Sequence, residues 1–383
     1  MKKLSHICFI VPGYPIEDEP MYTFVRQLIC AIADEGIKCS VIAPQSITRK
    51  FIRKTKKRPY FWQDTSGNNK KIDIYQPSYI SFSNFRVFGI GVSSMFSQYA
   101  IIRTFVKNKI NPNVLYAHFW GSGVTAGIIG KRYSIPVFVA TGESKISVRD
   151  KYSTKRIQNG LENIKGVICV SSKNKEESLE LKLALEEQMK VIPNAINSNL
   201  FYFIDKENAR KELSYKEEDF IVAFVGHFIH RKGILRLAEA VKKIGDVKTI
   251  YIGSGKLKPE GEDILFIGRL PHDQIVYYLN AADVFVLPTL AEGCCNAIIE
   301  AMACGLPIIS SDRPFNDDIL NDENSIRVNP ENIEEIKDAI IRLRDNPKLC
   351  ESMSRASLRM AEKLDIKQRA VNILEFMKNR MDY

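Results

Sequence analysis

The sequence predicts an α/β protein with two domains, each built around a parallel β-sheet. Its 383 residues are long for one domain and natural for two that each bury a core. Residues 5–43 follow the order strand, helix, strand, and residues 283–312 repeat that order in the second half. Each is a parallel crossover unit, so one unit in each half indicates one parallel sheet in each half.

The first half supplies strands that end in turns of small or polar residues. Five apolar runs read as strands, at residues 5–11, 38–43, 113–117, 135–140 and 167–170. Residues 21–35 show helical periodicity, and residues 173–188, which follow a serine N-cap, fit a helix with a charged face. Residues 45–71 are polar and basic, and they read as irregular.

The second half repeats the alternation after a linker that we place near residues 197–207. Strands are predicted at residues 221–225, 249–252, 284–287 and 307–310, with helices at residues 273–281, 294–304 and 333–377. Gly305 stands where a left-handed C-cap is expected. The predicted domains are residues 1–200 and 201–365.

The loop and helix that follow the strand at 284–287 carry the strongest functional signal. Gly293 precedes a helix tip whose free amides suit a phosphate, and the tip consists of Cys294, Cys295 and Asn296. Glu300, one to two turns inside the helix, accepts two hydrogen bonds at once and suits the two hydroxyls of a ribose. Glu292, at the loop tip, faces whatever the phosphate carries.

This spacing resembles a known family. The pattern Glu292-Gly293-x-x-Asn296-x-x-x-Glu300-Ala301-Met302-Ala303-x-Gly305-x-Pro307 is similar to the two-glutamate signature of retaining, nucleotide-sugar-dependent glycosyltransferases of family 4, also called group 1. The resemblance implies the GT-B fold, in which two Rossmann-like domains face a central cleft, the first binding the acceptor and the second the donor. It also implies that the last helix, at about residues 366–383, crosses back to the first domain. A plain buried helix with two surface glutamates explains neither Gly293 nor the offset of Glu300.

The resemblance implies a diphosphate site at the end of the strand at 221–225. Gly226 ends that strand, and Arg231 and Lys232 follow it; Lys232 aligns with the family's phosphate-binding lysine. Two cations next to a glycine can neutralise a diphosphate. His227 stands where relatives carry an arginine, so either Arg231 supplies that charge from a shifted position or one contact is lost.

Other strand ends contribute further expected site residues. On the donor side these are Gly253, Arg269 and Leu270, the last two in the region where relatives hold the nucleobase. In the first half, the resemblance implies that His118 hydrogen-bonds the donor sugar and that Gly13 approaches the ligand. Glu143 stands where many relatives have a histidine, so we assign it to the acceptor side.

The expected reaction is retaining transfer of a sugar from a UDP- or GDP-sugar to an acceptor hydroxyl. Arg231, Lys232 and the helix tip stabilise the negative charge that grows on the leaving diphosphate. Glu292 and His118 orient the donor sugar. As in the family, a phosphate oxygen takes the acceptor's proton, and no metal or cofactor is expected. A lipid-linked glycan intermediate of a surface polysaccharide is the expected acceptor.

Two other functions stay open at this point. The first is a nucleotide-sugar epimerase or hydrolase on the same scaffold. The second is a basic module that binds nucleic acid or membrane and keeps only a vestigial nucleotide site, although we expect no nucleic-acid partner. The chain has no run of eighteen apolar residues and no signal-peptide core, which predicts a cytoplasmic protein. Its eight cysteines form no CxxC pair and read as reduced core thiols.

The net charge of +10 belongs to the first half of the chain. Residues 1–190 hold 29 Lys and Arg against 15 Asp and Glu, and residues 191–383 hold 26 against 30. The densest basic run, residues 49–58, is a solvated loop, a nucleic-acid arm or a contact for anionic lipid. Residues 79–109 mix aromatic and basic side chains, which are either core or a lip that touches the inner face of the cytoplasmic membrane.

Overall fold

The protein consists of two compact units, each with its own parallel sheet. The computed structural model describes residues 4–16, 21–53, 57–82, 86–87 and 90–381. The first unit runs to Ile192 and resumes at Lys367, and the second spans Pro193–Ile366. The sequence placed this division at residue 200 and the return of the chain near residue 366. The predicted α/β class with two parallel-sheet domains is confirmed.

In its described residues, the first unit contains an eight-stranded sheet and two separate two-stranded sheets, and helices flank them. Its strands are β1 (His6–Ile10), β2 (Lys38–Ile42), β3 (Gln45–Ser46), β4 (Phe61–Thr65), β5 (Lys71–Tyr75), β6 (Ser78–Tyr79), β7 (Arg86–Val87), β8 (Ile90–Gly91), β9 (Val114–His118), β10 (Val137–Thr141), β11 (Ile164–Cys169) and β12 (Met189–Val191). Its helices up to residue 192 are α1 (Thr23–Asp34), α2 (Ile47–Arg53), α3 (Val92–Lys107), α4 (Trp120–Tyr133), α5 (Thr154–Leu161) and α6 (Ser172–Glu180). The sheet order is β12-β11-β10-β9-β1-β2-β5-β4.

The central strands form because their residues are buried on both faces. Every residue of β9 and β10 is buried, as the unbroken apolar runs predicted. All neighbours in this sheet are parallel except β4 and β5. The carboxyl ends of the parallel strands therefore meet at one edge, where His118 and Thr141 end β9 and β10.

Two predictions for the first half were wrong in part. Residues 45–71 are not irregular, because they contain β3, α2 and the edge strand β4, which pairs with β5. An edge strand with mostly exposed side chains lacks an apolar signal and depends on its partner instead. The helix predicted at 173–188 ends at Glu180, since Lys182 adopts φ +52° and the chain turns Leu183 into the core.

The second unit is a six-stranded parallel sheet in the order β15-β14-β13-β16-β17-β18. Its strands are β13 (Ile221–Phe228), β14 (Lys248–Gly255), β15 (Ile264–Gly268), β16 (Val284–Leu287), β17 (Ile308–Ser311) and β18 (Ser325–Val328). Its helices are α7 (Lys206–Leu213), α8 (Ile234–Ile244), α9 (Ile275–Asn280), α10 (Asn296–Ala303), α11 (Ile333–Arg344) and α12 (Pro347–Glu362). The predicted unit of strand, loop, helix and strand at 283–312 is confirmed as β16, α10 and β17, and Gly305 ends α10 with φ +76°.

The C-terminal region consists of three helices rather than one. The helical stretch predicted at 333–377 is interrupted after Arg344 and again after Glu362, and Asn346 caps the start of α12 by accepting a hydrogen bond from the Leu349 amide. The last helix, α13 (Ile366–Met381), belongs to the first unit from Lys367 onward. There the ring of Phe376 lies 6.1 Å from the ring of Phe138 in β10. No helix among the described residues has the length and hydropathy needed to cross a bilayer.

We predict that the close packing of α4 against α5 depends on Gly127. A methyl group at Gly127 would overlap the Gly160 carbonyl group and lie 2.9 Å from the Gly160 Cα. Gly127→Ala should therefore lower the free energy of unfolding of the first unit by about 3 kcal/mol. Gly121→Ala on the same helix is the control, because its nearest heavy atom would be 3.9 Å away.

Tryptophan fluorescence during denaturation checks this prediction. Both tryptophans of the chain, Trp62 and Trp120, lie in the first unit, so their emission follows that unit alone. The denaturant midpoint of Gly121→Ala should equal that of the wild type or exceed it. Equal midpoints for the two variants would contradict the prediction.

Candidate functional site

A largely buried carboxylate after β16 pairs with two cations that follow β13. Oε1 of Glu292 accepts hydrogen bonds from Arg231 Nη1 at 2.7 Å and from Thr289 Oγ1 at 2.8 Å, and it forms an ion pair with Lys232 Nζ at 2.7 Å. The Glu292 and Lys232 side chains are only 12% and 11% exposed. Oε2 of Glu292 accepts no hydrogen bond from the residues that the structure describes. We call Arg231, Lys232 and Glu292 the ionic cluster.

Two members of the ionic cluster, Glu292 and Lys232, are held in their charged forms by their neighbours. Burial alone raises the pKa of Glu292, but the charges of Lys232 and Arg231 outweigh burial and hold that pKa below its ordinary value. Burial alone lowers the pKa of Lys232, and the neighbouring Cys295 and Glu292 reverse this, so that the pKa is raised. With two cations and one carboxylate, the cluster keeps an excess of positive charge, which suits an anionic ligand.

Glycines at the strand ends allow the backbone to pack closely around the cluster. Gly233 adopts φ +79° directly after Lys232, and a Cβ there would lie 2.8 Å from the Pro288 ring. Gly253 adopts φ +144°, and a Cβ there would overlap the carbonyl group of Gly226 on the neighbouring strand. These positions need glycine because both conformation and space exclude a side chain.

The first turn of α10 lies beside the ionic cluster. Lys232 Nζ is 3.9 Å from Cys295 Sγ, and Cys295 is the N-cap residue, whose side chain makes no capping hydrogen bond. α10 begins at Asn296, two residues later than predicted. Asn194 donates from Nδ2 to the Cys294 carbonyl oxygen at 3.0 Å and to Asn296 Oδ1 at 2.8 Å, and so it fixes this tip. Gly293 is buried just before it.

Glu300 lies one turn further along α10 and has a histidine partner. His272 Nε2 lies 3.1 Å from Glu300 Oε1, and the His272 ring packs edge-on against Phe201 with 5.0 Å between centroids. Burial alone lowers the pKa of His272, but the hydrogen bond and charge of Glu300 more than offset burial and raise it. Oε2 of Glu300 accepts no hydrogen bond within the described ranges. Arg269 donates from Nε to Ser254 Oγ at 2.7 Å, next to Gly253.

In the first unit, His118 lies at the end of β9 with its ring buried. It is 3% exposed, and neither ring nitrogen has a hydrogen-bond partner in the described part of the chain. The rings of Phe24 and Phe119 lie 5.3 Å and 4.4 Å from it. Burial, with a smaller contribution from the charge of Arg369, lowers the pKa of His118 to about 3. A neutral imidazole with two unsatisfied nitrogens is ready to hydrogen-bond a ligand.

Glu143 has structural partners in the first unit. Its Oε1 accepts from the Trp120 amide at 2.7 Å, and its Oε2 accepts from Thr141 Oγ1 at 2.7 Å and from the Gly142 amide at 3.0 Å. The carboxylate therefore caps the start of α4. Gly13 lies against the ring of Tyr22, whose Cδ2 would be 2.8 Å from a Cβ at that position.

The structure thus brings most of the predicted donor-side residues together in the second unit. The group comprises Gly226, Arg231, Lys232, Gly253, Glu292, Gly293, Cys294, Cys295 and Asn296, with Glu300 and Arg269 next to it. Leu270 is half-buried in the loop after β15, and His227 is exposed on β13. Sequence reasoning missed Asn194, His272 and Thr289. Among the described residues, no three His, Cys, Asp or Glu side chains are grouped so that they could hold a metal ion.

Two family profiles match most of the chain. The profile described as "Glycosyl transferases group 1" matches residues 205–360, and that described as "Glycosyltransferase Family 4" matches residues 21–200. The chain is 27% identical over 349 residues to TuaC of Bacillus subtilis, named as a teichuronic acid biosynthesis glycosyltransferase, with 88% of each chain covered. It is 26% identical to the UDP-Gal:alpha-D-GlcNAc-diphosphoundecaprenol alpha-1,3-galactosyltransferase of Escherichia coli, covering 67% of this chain and 71% of that one.

Solved structures share the fold over the whole chain. Sucrose-phosphate synthase from Thermosynechococcus elongatus matches with a TM-score of 0.78 at 19% identity, covering 99% of both chains. Anabaena Alr3699/HepE in complex with UDP-glucose matches with a TM-score of 0.71 at 15% identity, covering 98% of this chain and 99% of that one. The predicted GT-B fold is confirmed.

We predict that His118 makes the first unit sensitive to acid. Its pKa is about 3 when folded and about 6.5 when unfolded, so the unfolded chain binds a proton that the folded chain does not between those values. Stability is therefore complete above pH 6.5 and is lost as the pH falls. Between pH 7 and pH 5 this residue should remove about 2 kcal/mol from the free energy of unfolding.

Denaturation of His118→Asn followed by tryptophan fluorescence checks this. The variant should lose the part of the pH dependence that belongs to His118, whatever its stability at pH 7. Parallel pH curves for the variant and the wild type would show that His118 is not the group responsible.

We predict that the pKa of His272 depends on Glu300. Proton NMR titration should place the pKa of His272 above its ordinary value, and Glu300→Gln should lower it because the carboxylate charge is lost while burial remains. Asp273→Asn is the matched control and should lower it less, since Asp273 contributes less than Glu300. Stability from this pair is present at low pH and is lost as the pH rises through the folded pKa. An unchanged pKa in Glu300→Gln would contradict the assignment.

Proposed function

The chain belongs to the group 1 glycosyltransferases and is a transferase, and from this premise we propose that it moves a sugar from a nucleoside-diphosphate sugar to an acceptor hydroxyl with retention at the anomeric carbon. The donor is a UDP- or GDP-sugar. The acceptor is a lipid-linked glycan intermediate of a capsule, an O-antigen or another surface polysaccharide. The names of two relatives support this choice, one assigned to teichuronic acid biosynthesis and one to a diphosphoundecaprenol-linked acceptor.

The ionic cluster is the observation that carries the proposal. Bond cleavage places negative charge on the leaving diphosphate, and the charges that stabilise it are most effective when they are already fixed in position. Glu292 fixes Arg231 and Lys232 through one oxygen, which holds both cations in place before a ligand binds. The amides at the tip of α10 lie beside them and add donors of the same sign.

The other donor contacts follow from the same arrangement. Oε2 of Glu292 is available for a hydroxyl of the donor sugar, and Oε2 of Glu300 for the ribose. The backbone near Arg269 and Leu270 contacts the base. For His118 the proposal keeps the role that the resemblance implies, a hydrogen bond to the donor sugar, and its unpaired nitrogens support that role. Gly13 is assigned to the donor side, where its backbone approaches the ligand, and Glu143 is assigned to the acceptor side.

Retention follows in this proposal from attack on the same face that the diphosphate leaves. A phosphate oxygen of the leaving group takes the proton of the acceptor hydroxyl, so no protein base is required. Arg231, Lys232 and the α10 amides supply the charge neutralisation that a divalent cation supplies elsewhere. Turnover should therefore continue in the presence of a metal chelator.

Contact between residues 49–58 and an anionic membrane, at the inner face of the cytoplasmic membrane, stays a prediction. Residues 54–56 of that run lie outside the described residues. Phe51 and Ile52, at the end of α2, are 87% and 73% exposed, which supports an interfacial role for this segment.

A binding and turnover assay tests the proposed function. Thermal shift with UDP, GDP and ADP should identify one nucleoside diphosphate that raises the melting temperature, and the matching nucleotide sugars should then be offered with and without a polyprenyl-diphosphate-linked glycan. We expect nucleotide release only with the acceptor. Rapid release without it would favour the hydrolase or epimerase alternative, and no binding of any nucleotide would contradict the proposal.

We predict that Lys232→Gln lowers kcat/KM by about thirtyfold to a thousandfold, which corresponds to about 2 to 4 kcal/mol of transition-state stabilisation. The reason is the loss of a fixed cation beside the diphosphate. Lys243→Gln is the control, because Lys243 is 45% exposed and pairs with Glu334 on the surface of the same unit. Steady-state kinetics on variants with unchanged circular dichroism measure the effect. A fall of less than about threefold for Lys232→Gln would exclude the assigned role.

A further inference from the structure

A groove beside α3 in the first unit contains none of the residues discussed above as donor-binding. Its volume is about 410 Å³, within the range of small-molecule sites. We call it the α3 groove, and the residues that define it are Tyr60, Ile80, Phe96, Tyr99, Arg103 and Lys107.

The walls of the α3 groove expose apolar side chains to solvent. Phe96 is 45% exposed, Tyr99 65% and Tyr60 42%, and Ile80 is 51% exposed on the neighbouring segment. α3 buries its opposite face through Gln98, Ile101 and Phe105. A surface helix normally turns mostly polar and charged residues outward, so exposed aromatic side chains on this second face of α3 indicate a surface that another molecule covers.

The charge around the α3 groove has one sign. Arg103 and Lys107 are both exposed, and Lys107 Nζ lies 5.8 Å from the centre of the Tyr60 ring. The sequence contains no Asp or Glu between Glu35 and Asp64, and none between Asp73 and Glu143. Asp64 and Asp73 are already engaged, because they accept hydrogen bonds from Arg26 and Gln63. The partner of this surface is therefore both apolar and anionic.

We propose that the α3 groove is a docking site for an anionic phospholipid membrane, in which the groove takes one lipid chain and Arg103 and Lys107 contact lipid phosphates. Tyrosine is the residue type that accumulates at the level of lipid headgroups, which fits Tyr60 and Tyr99 at the rim. Cations near an anionic leaflet each gain about 1 kcal/mol from its surface potential. The groove adds a binding site beyond the proposed sugar transfer and beyond residues 49–58.

A second copy of the chain fits this surface less well. A two-fold contact places the same patch on both sides, so Arg103 and Lys107 of one copy would face the same cations of the other. Like charges brought together at an interface oppose association. An anionic lipid layer instead complements them.

Sedimentation of the full chain with vesicles tests the proposal without any nucleotide or acceptor. Wild-type protein should bind vesicles that contain phosphatidylglycerol and should bind pure phosphatidylcholine vesicles much more weakly. Arg103→Gln with Lys107→Gln should reduce the partition coefficient about thirtyfold, from about 1 kcal/mol for each cation. The control is Lys165→Gln with Lys190→Gln, which removes the same charge from exposed positions on β11 and β12, at the opposite edge of the sheet.

A second set of variants tests whether burial of apolar side chains contributes to vesicle binding. Tyr99→Ser should weaken binding to phosphatidylglycerol vesicles about tenfold at any salt concentration, because the loss is one of apolar burial. Leu185→Ser removes a side chain of similar exposure, 62% against 65%, away from the groove and should have no effect. The proposal is overturned if Tyr99→Ser and Arg103→Gln with Lys107→Gln bind like wild type. It is also overturned if phosphatidylcholine binds equally, or if ultracentrifugation shows a dimer that the same variants dissociate.

The vesicle-binding experiment can fail or succeed independently of the nucleotide-binding test of the proposed function. Thermal shift with nucleoside diphosphates reports on the ionic cluster in the second unit and does not involve the α3 groove. Loss of vesicle binding with intact nucleotide binding in the groove variants supports the docking site. Failure of nucleotide binding in the wild type, with vesicle binding retained, would contradict only the proposed reaction.

Discussion

The carboxylate of Glu292 is the constraint on which the second unit depends. Its side chain is largely buried, and one of its oxygens contacts Arg231, Lys232 and Thr289 at the same time. A buried ion pair gains little net stability, but the loss of one member leaves an uncompensated buried charge, which is costly. The strand ends that carry Arg231, Lys232 and Glu292 are therefore held in one arrangement. That arrangement leaves one oxygen of Glu292 without a hydrogen bond from the described residues and gives the cluster an excess of positive charge.

The backbone around this cluster is constrained in the same way. Gly233 and Gly253 adopt positive φ angles where neighbouring strands and loops approach closely, and neither position has room for a Cβ. β13 and β16 are adjacent parallel strands, so their carboxyl ends deliver these loops to the same edge of the sheet. Strand order thus brings the residues of the ionic cluster together. The glycines leave enough space for the backbone of these neighbouring loops and strands to pack closely.

Much of this arrangement could be predicted from the sequence, and the limits have physical reasons. Unbroken apolar runs predicted the buried strands, and the helix-favouring order of residues 294–304 followed by Gly305 predicted α10 between β16 and β17, because both signals are local. The pairing of Arg231 with Glu292 joins residues 61 positions apart and depends on strand order, which no local pattern contains. His272 was missed for the same reason, although its place after Arg269 and Leu270 was a usable signal. The edge strand β4 was missed because its pairing, and not its apolar content, stabilises it.

The two units use positive charge in different ways, and the two uses differ in how strongly they depend on ionic strength. In the first half, 29 Lys and Arg face 15 Asp and Glu, and the α3 groove lies in a stretch without acidic residues, so its cations act as an exposed field. The second half contains 26 Lys and Arg and 30 Asp and Glu, the two cations of the ionic cluster are paired with Glu292, and Lys232 is buried. Salt screens exposed charges beyond about 8 Å at physiological ionic strength and screens buried pairs much less. The proposed docking of the α3 groove on an anionic surface should therefore weaken with salt under conditions that leave the ionic cluster intact.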